Sequence, residues 1–457
     1  MSWYPLVNKT KVAVIGMGYV GIPAAALFAD VDGFDVIGIQ RRSERSAWKI
    51  DALNKGECPI LNEPDLPELI KRVVLEKKTF RVTDDTDVLK DMDFILIDVQ
   101  TPTEKDTHEP LYRSLREVSA TVGKKMKKGA VIAVESTVAP GTTEFIVKPI
   151  LEENSGMKTG EDFYLVFAYE RVMVGRLINN IVNYPRIIGG ITEECSKKGL
   201  WLYKHIVNEE LIPVSATTAE VAKVVENTYR DVQIAFANEV ALACESLNVK
   251  FNEVRKCVNS LPFNSNAYRD LHLPGAGVGG HCLPKDPWLL KYGVDTYGKT
   301  DVPFDVIVKA RMRNEMMPSH MVTLAKKGAK DAGIDFTKAK VAILGASFIE
   351  NSEDTRNSPT ETYVELLEKE GVKWVIHDPL VRQREFPYTV SKDLEETVKD
   401  ADIAVIFVKH KEYFDLKADW LKDRMKTPII IDGRDVIKLE EFRKKGFAAY
   451  GVGKPSN

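Results

Sequence analysis

The sequence predicts an α/β protein in which two doubly wound domains are joined by a central helical domain with a long helix. Three observations predict this fold. A strand, a glycine turn and an apolar helix begin near Lys11, and a second strand and glycine turn begin at Lys340. Between them, residues 216–248 carry apolar side chains at helical spacing with no Gly or Pro. A chain of 457 residues is long enough for two or three such cores.

The first predicted domain covers residues 1–212 and begins with the strand at residues 12–15. Further short apolar runs follow at residues 36–39, 94–97 and 131–134, separated by charged segments of helical length. Continuous apolar runs are typical of strands that are covered on both faces. We therefore predict a parallel, Rossmann-like sheet for this domain.

The central predicted domain covers residues 213–325, and the third covers residues 326–457. In the third, residues 341–346 repeat the strand and glycine turn of residues 12–17. More strands are predicted at residues 374–376, 403–408 and 429–431. The third domain is therefore also predicted to be Rossmann-like.

Composition and charge exclude several classes of protein. The net charge is −3, whereas a nucleic-acid-binding protein normally carries a large basic excess. The five cysteines form no CxxC pair and no Cys/His cluster, so neither a disulfide framework nor a metal site is predicted. The first residues lack a signal-peptide pattern, and no apolar run reaches roughly 18 residues. We expect a cytoplasmic protein that binds a small molecule, without nucleic-acid or membrane partners.

A GxGxxG motif lies between the first strand and the first helix, the context in which it indicates dinucleotide binding. Gly16 permits a tight turn, Gly18 lets the backbone approach a pyrophosphate, and Gly21 lets the helix pack on the strand. Tyr19 and Val20 complete the motif at the positive end of the helix. The alternative is a glycine turn that holds no ligand.

The next strand ends at Gln40, Arg41 and Arg42, where an NAD site usually carries an acidic residue that binds the ribose hydroxyls. We expect NAD as the cofactor. NADP is an open alternative, because two arginines are able to bind a 2′-phosphate. Exposed arginines at the start of a helix are an equally ordinary explanation.

A glycine-rich loop precedes Cys282. Four glycines fall within six residues, namely Gly275, Gly277, Gly279 and Gly280. Such a loop is able to close around a ligand, and His281 and Lys285 would favour the thiolate of Cys282. A structural hydrogen-bonding role is the equal alternative for His281. We therefore interpret Cys282 as a nucleophile, although an isolated cysteine more often serves packing.

Five segments resemble the UDP-glucose/UDP-N-acetylmannosamine dehydrogenase family of nucleotide-sugar 6-dehydrogenases, and the resemblance spans nearly the whole chain. The segments are residues 16–21, 135–143, 220–230, 279–286 and 354–359. The resemblance implies two successive oxidations at C6 of a UDP-sugar that consume two cofactor molecules. It also implies that Cys282 holds the intermediates as a thiohemiacetal and then a thioester.

The resemblance assigns roles to further residues. Lys223 and Asn227 lie four residues apart on the predicted helix, so both side chains emerge on one face, and the family pair stabilises the oxyanion. Taken alone, they would be solvated helix residues. Glu170, at the end of a predicted strand, matches the acid that activates water, with a surface salt bridge as the alternative. Thr137 and Asp286 match residues that position a water.

The remaining assignments complete the predicted site. The predicted cofactor contacts are Gly16, Gly18, Tyr19, Val20, Gly21, Gln40, Arg41, Thr101, Thr137 and Arg356. The predicted substrate contacts are Glu170, Arg171, Lys223, Asn227, Arg269, Gly275, Gly277 and Gly279.

The sequence departs from the family pattern at three positions. Gln40 replaces the ribose-binding acid, and Ile349 replaces the lysine of a Phe-Lys pair that contacts the diphosphate, a contact that Arg356 is placed to supply. Tyr268 replaces an arginine that reaches a neighbouring subunit's substrate, with Arg269 one residue away. Because of these departures, a protein that binds a nucleotide sugar without oxidising it is an open alternative.

The predicted substrate is UDP-N-acetylmannosamine, on a route to a cell-surface polysaccharide or glycan precursor. The Glu170-Arg171-Val172 and Gly279 to Cys282 segments resemble the N-acetylhexosamine branch of the family, whereas residues 284–286 have the glucose-like form. UDP-N-acetylglucosamine and UDP-glucose are the alternatives, as is a simple two-electron alcohol dehydrogenase. The apolar central helix and the resemblance together predict a homodimer or a higher homo-oligomer, and packing within one chain is the alternative.

Overall fold

The computed structural model describes residues 9–44, 46–60, 63–265, 269–382 and 386–455. It divides into two compact units. The first contains the residues up to Val225 together with Trp288–Val302, and the second contains Glu226–Pro287 and Pro303–Asn457. The predicted division into three domains stays a prediction.

Fourteen strands lie within the described residues. They are β1 (Thr10–Ile15), β2 (Phe34–Ile39), β3 (Phe80–Thr83), β4 (Phe94–Ile97), β5 (Val131–Val134), β6 (Tyr164–Phe167), β7 (Arg186–Gly190), β8 (Leu211–Ser215), β9 (Lys340–Leu344), β10 (Lys373–His377), β11 (Val390–Ser391), β12 (Ile403–Ile406), β13 (Ile429–Asp432) and β14 (Ala448–Gly451). All the strands predicted from apolar runs are among them.

The α-helices vary widely in length. They are α1 (Gly21–Asp30), α2 (Ala47–Asn54), α3 (Leu66–Lys71), α4 (Arg113–Lys125), α5 (Lys148–Ser155), α6 (Leu177–Asn183), α7 (Glu193–Tyr203), α8 (Ala216–Ser246), α9 (Phe251–Val258), α10 (Asp286–Tyr297), α11 (Asp305–Glu315), α12 (Met317–Asp331), α13 (Pro359–Lys369), α14 (Leu394–Val398), α15 (Ala418–Lys422) and α16 (Leu439–Lys444). Helix α8, with 31 residues, is the predicted long helix.

The first unit contains an eight-stranded sheet with the strand order β3-β2-β1-β4-β5-β6-β7-β8. Its strands pair in parallel, as predicted, except that β6 and β7 are antiparallel. The apolar pattern does not encode strand direction, so this exception has no signal in the sequence. The strand order reverses between β1 and β4, and ligands of doubly wound sheets bind at such a switch point.

The second unit contains a six-stranded parallel sheet with the order β11-β10-β9-β12-β13-β14. Helix α12 packs against β12, β13 and β14, and its buried face shares one apolar core with Ala237 and Ala241 of α8. The helical segments of this unit are therefore held to its sheet by a common core. Among the described residues, no helix combines the length and apolar character needed to cross a bilayer.

Candidate active site

The glycine turn after β1 has the geometry that a dinucleotide requires. Gly16 has φ +110°, and a Cβ at this position would overlap the carbonyl oxygen of Asp98. A Cβ at Gly21 would overlap the Gly16 carbonyl, whereas a Cβ at Gly18 would meet no atom within 4 Å. Gly18 therefore faces open space beside the N-terminus of α1, which has no side-chain cap. These residues fit a bound pyrophosphate.

The residues at the end of β2 are engaged in contacts within the first unit. Gln40 Oε1 accepts a hydrogen bond of 3.0 Å from the backbone N of Met17, so this side chain supports the glycine turn. Arg42 pairs with Asp84 at 3.1 Å and lies 3.7 Å from Asp51. Arg41 is exposed. Since Arg42 is paired, the case for a 2′-phosphate rests on Arg41 alone.

Two threonines connect the ends of β4 and β5. Thr101 Oγ1 donates to the carbonyl oxygen of Thr137 at 2.6 Å, and Thr101 is buried. Asp98, at the end of β4, lies under the glycine turn, and burial together with the nearby Glu135 carboxylate raises its pKa to about 8. The carboxyl edge of the first sheet therefore carries the predicted cofactor residues.

Glu170 belongs to a buried ionic cluster. Arg186, at the start of β7, forms ion pairs with Glu170 and with Glu135, the latter at 2.5 Å. It also donates to the Ala168 carbonyl oxygen at 2.7 Å, and Tyr203 donates to Glu135 at 2.6 Å. Glu170 is 7% exposed. The alternative of a surface salt bridge for Glu170 is therefore wrong.

The cluster controls the protonation of Glu170. Burial raises the pKa of Glu170 to about 7, with the Arg186 guanidinium opposing the shift and the Glu135 carboxylate adding to it. Lys223, on α8, is buried and donates from Nζ to the backbone oxygen of Glu170 at 2.8 Å. Lys223 is thus not a solvated helix residue, and its side chain lies next to Glu170.

Glu220 is a residue that the sequence analysis left without a role. Its carboxylate accepts hydrogen bonds from Gly141 N at 2.6 Å and from Thr143 N and Oγ1 at 2.8 and 2.6 Å. Burial raises its pKa to about 7. Because Glu220 precedes Lys223 by three residues on α8, it ties the turn after Thr137 to the helix that presents Lys223. Its position in the 220–230 segment was the available signal.

In the second unit, Asn227 and Asp286 are joined next to Cys282. Asn227 Nδ2 donates to Asp286 Oδ2 at 2.6 Å, and Lys285 Nζ lies 3.2 Å from Asp286 Oδ1. The backbone N atoms of Lys285 and Asp286 donate to the Cys282 carbonyl oxygen at 3.0 and 2.9 Å. Cys282 is an exposed residue outside any disulfide. The first turn of α10 therefore positions the nucleophile loop.

His281 differs from its predicted role. Burial and the charge of Lys285 lower the pKa of His281 to about 4, so its imidazole is neutral at pH 7. A neutral ring does not stabilise a thiolate by charge. Within this loop, Lys285 is the cation that lies near Cys282 in sequence.

The glycine-rich loop contacts the carboxyl edge of the second sheet. Gly280 N donates to the Arg356 carbonyl oxygen at 2.9 Å, and Arg434 Nη2 donates to the Gly277 carbonyl oxygen at 3.1 Å. Arg434 follows β13, and the sequence analysis missed it although Asp432-Gly433-Arg434 ends a predicted strand. Arg434 therefore adds a guanidinium to the glycine loop.

The other predicted substrate residues have local partners or lie outside the description. Arg356 pairs with Asp354 at 2.5 Å, and Arg171 donates to the Pro185 carbonyl oxygen at 2.7 Å. Arg269 is exposed, and Ile349 is 36% exposed. Tyr268 lies outside the described residues.

The sequence matches three domains of a single family. The NAD binding domain of the UDP-glucose/GDP-mannose dehydrogenase family matches residues 10–207, the central domain residues 217–316 and the UDP binding domain residues 342–439. The chain belongs to this family.

Individual relatives match along almost the whole chain. The UDP-N-acetyl-D-mannosamine dehydrogenase of Pyrococcus horikoshii is 37% identical over 97% of this chain and 99% of its own. That of Campylobacter jejuni is 33% identical over 90% and 97%. A crystal structure titled NDP-N-acetyl-D-galactosaminuronic acid dehydrogenase from Methanosarcina mazei Go1 has a TM-score of 0.89 and 43% identity, covering 98% of this chain and 96% of that one.

Membership confirms the predicted family, its N-acetylhexosamine branch and the two Rossmann-like domains. The protein is an NAD-dependent nucleotide-sugar dehydrogenase, and NAD supplies the hydride acceptor for the oxidation. The glycine turn has the geometry that a pyrophosphate requires, and Gln40, Thr101 and Thr137 stay predicted NAD contacts. The UDP binding domain of the family coincides with the second sheet, so a UDP-sugar is the class of substrate.

Proposed function

We propose that this dehydrogenase oxidises the C6 hydroxyl of UDP-N-acetyl-D-mannosamine to a carboxylate in two steps through a covalent intermediate on Cys282. The observation that carries the mechanism is that Cys282, an exposed residue outside any disulfide, lies on a loop that is bonded to Asp286, itself bonded to Asn227. A simple two-electron alcohol dehydrogenase needs no such thiol.

The first oxidation removes a hydride from C6 and the hydroxyl proton, and it leaves an aldehyde. The Cys282 sulfur then adds to this carbonyl carbon, and the oxygen gains a proton to give a thiohemiacetal. A second hydride and the hydroxyl proton leave, which yields a thioester. Glu170 takes a proton from water, and the resulting hydroxide adds to the thioester. The C–S bond then breaks, and the remaining proton of the added hydroxyl passes to the departing sulfur, which releases the carboxylate and restores the Cys282 thiol.

The remaining residues serve binding and charge stabilisation. Lys223 and Asn227 donate to the oxyanion that forms at C6, and Thr137 and Asp286 position water. A pKa of about 7 suits Glu170 as a base, because a catalytic pKa near the working pH gives both a useful fraction of base and a useful basicity.

Binding of the nucleotide and the cofactor uses residues from both ends of the chain. For the diphosphate we propose Arg356 and Arg434, since guanidinium groups bind phosphate bidentately and Ile349 replaces the lysine. The proposed sugar contacts are Arg171, Arg269, Gly275, Gly277 and Gly279. The proposed NAD contacts are Gly16, Gly18, Tyr19, Val20, Gly21, Gln40, Arg41 and Thr101, and Arg356 keeps its predicted cofactor contact as a second role.

The test is a count of NADH formed per sugar consumed. We expect about two NADH per UDP-N-acetylmannosamine for the natural protein and about one, with free aldehyde, for Cys282→Ser. A ratio of about one for the natural protein would contradict the covalent route. Absence of NADH with every UDP-sugar tested would favour a protein that binds without turnover.

A second candidate substrate is a nucleotide-linked N-acetylgalactosamine, because the 43% identical structure from Methanosarcina mazei Go1 is that of an NDP-N-acetyl-D-galactosaminuronic acid dehydrogenase. Comparing kcat/KM for the UDP forms of N-acetylmannosamine, N-acetylgalactosamine, N-acetylglucosamine and glucose decides between them. The same assay with NADP tests whether Arg41 binds a 2′-phosphate.

We also propose that the protein is a homodimer or a higher homo-oligomer of the cytoplasm, serving the synthesis of a cell-surface polysaccharide or glycan precursor. Exposed apolar side chains on α8 support self-association, since such patches on soluble proteins usually mark an interface. The five cysteines lie outside any disulfide, as is usual in a reducing compartment, which supports the cytoplasm.

A further inference from the structure

A buried series of hydrogen bonds begins at the first glycine of the Cys282 loop. Gly275 N donates to Asn238 Oδ1 at 2.9 Å, and Asn238 Nδ2 donates to Asn314 Oδ1 at 2.8 Å. Asn314 Nδ2 donates in turn to Asp231, at 2.8 Å to Oδ1 and at 2.9 Å to the backbone oxygen. The start of the loop is therefore connected, through α8 and α11, to a buried carboxylate.

The same carboxylate is connected to the other end of the loop. Arg311 Nη1 donates to Asp231 Oδ1 at 2.6 Å and to the carbonyl oxygen of Leu283 at 3.3 Å. Leu283 directly follows Cys282. One polar network therefore holds the backbone at Gly275 and at Leu283, the two ends of the segment that carries the thiol.

The network is buried to a degree that stability alone does not explain. Arg311 is 1% exposed, and Asp231, Asn238 and Asn314 are 0% exposed. Within the described part of the chain, Arg311 Nη2 and Asp231 Oδ2 have no hydrogen-bond partner. Burial of incompletely paired charges is costly, and apolar residues of similar volume often give equal or greater stability. A geometric task accounts for keeping charged groups here.

We propose that Asp231, Asn238, Arg311 and Asn314 are positioning residues that fix the loop so that the Cys282 sulfur meets the C6 aldehyde before it escapes. This inference rests on the proposed role of Cys282. A nucleophile reacts efficiently when it is held about 3 to 3.5 Å from its target, and a displacement of about 1 Å costs up to about 100-fold. Loosening either end of the loop therefore slows addition of sulfur and leaves the first oxidation intact.

The experiment compares Arg311→Lys and Asn238→Ala with Arg313→Lys. Lysine keeps the charge at position 311 but lacks the guanidinium, whose Nη1 bridges Asp231 and Leu283 while its Nε lies 3.2 Å from Glu315. Alanine at 238 removes the acceptor for Gly275 N. Arg313, two residues along α11, pairs with Glu239 near the surface at 3.1 Å and serves as the matched control. The measurements are NADH per sugar consumed and the aldehyde and acid products, identified by mass spectrometry.

In both network variants we expect the ratio of NADH formed to sugar consumed to fall from about two towards one, and the aldehyde to accumulate. The kcat for formation of the acid should fall about 10- to 100-fold. Arg313→Lys should retain the natural ratio. The ratio does not depend on the fraction of protein that folds, so a loss of stability alone leaves it at about two. Network variants that retain a ratio of about two would overturn this inference alone. A ratio of about one in the natural protein would overturn the proposed function instead.

Discussion

Glu170 illustrates how one buried residue acquires a useful acidity from its neighbours. Its carboxylate shares Arg186 with Glu135, so the guanidinium lowers the pKa of Glu170 while burial and the second carboxylate raise it. Burial prevails, and the pKa is about 7. A base must be deprotonated to act, so activity limited by Glu170 declines as the pH falls through that value.

Replacing Glu135 with glutamine tests this balance. Glu135→Gln removes a negative charge near Glu170 and leaves Arg186 to pair with Glu170 alone, and both changes lower the pKa of Glu170. The acid limb of the pH profile of kcat should therefore move to lower pH by about one unit. The control is Glu193→Gln, an exposed residue of α7 that pairs with Lys197. An acid limb that stays in place, or moves to higher pH, would contradict the assignment of Glu170 as the base.

At the scale of elements, the parts of the fold that sequence predicts best are the buried parallel strands. The strands β1, β4, β5 and β12 are continuous apolar runs whose residues are almost all buried on both faces, so composition alone identifies them. The strands β3 and β8 were not predicted. The sequence of β3, Phe80-Arg81-Val82-Thr83, is short and alternates between apolar and polar residues, and β8 contains Pro213.

The residues of the candidate site likewise fall into those that a local sequence pattern indicates and those that it does not. Cys282, Lys223 and the GxGxxG motif have local sequence signals in a loop, a helix spacing and a turn. Arg186 has none, because its partner Glu135 lies 51 residues away. Glu220 has only its position in the 220–230 segment, because its partners Thr143 and Gly141 lie 77 and 79 residues away. Contacts at such separations depend on the order of strands in the sheet, which hydrophobic periodicity does not specify.

Glu220 provides a prediction for an element. Its carboxylate satisfies the backbone N–H groups of Gly141 and Thr143 at the start of the helical segment that continues into α5. Glu220→Ala leaves these buried donors without an acceptor and should lower the free energy of unfolding by about 2 kcal/mol, measured by urea denaturation. The exposed Glu239 on the same helix is the control. Glu239→Ala should change the free energy of unfolding by less than about 0.5 kcal/mol. Equal effects of the two substitutions would show that the hydrogen bonds of Glu220 to Gly141 and Thr143 make no specific contribution to stability.

The whole molecule exposes more large apolar side chains on its central helices than a monomer needs. On α8, Tyr229 is 64% exposed and Phe236 is 62% exposed, and on α11 Val306 is 72% exposed. Removing apolar surface from water stabilises a complex by about 25 cal/mol per Å². A second copy of the chain that covers these residues would therefore be favourable. This surface supports the homo-oligomer proposed above.

Introducing a charge at Phe236 tests the oligomer. A glutamate there would have to be buried without a partner in any interface formed by this face of α8, which costs several kcal/mol. We expect Phe236→Glu to have the mass of a single chain in light scattering when the natural protein has that of two or more.

The first unit holds the glycine turn and does not contain Phe236, so NAD binding measured by calorimetry should persist in the variant. Phe414→Glu, at a 46% exposed residue of the second unit, is the control and should leave the mass unchanged. A natural protein that is already monomeric at micromolar concentration would refute the oligomer, and an unchanged mass of Phe236→Glu would place the interface elsewhere.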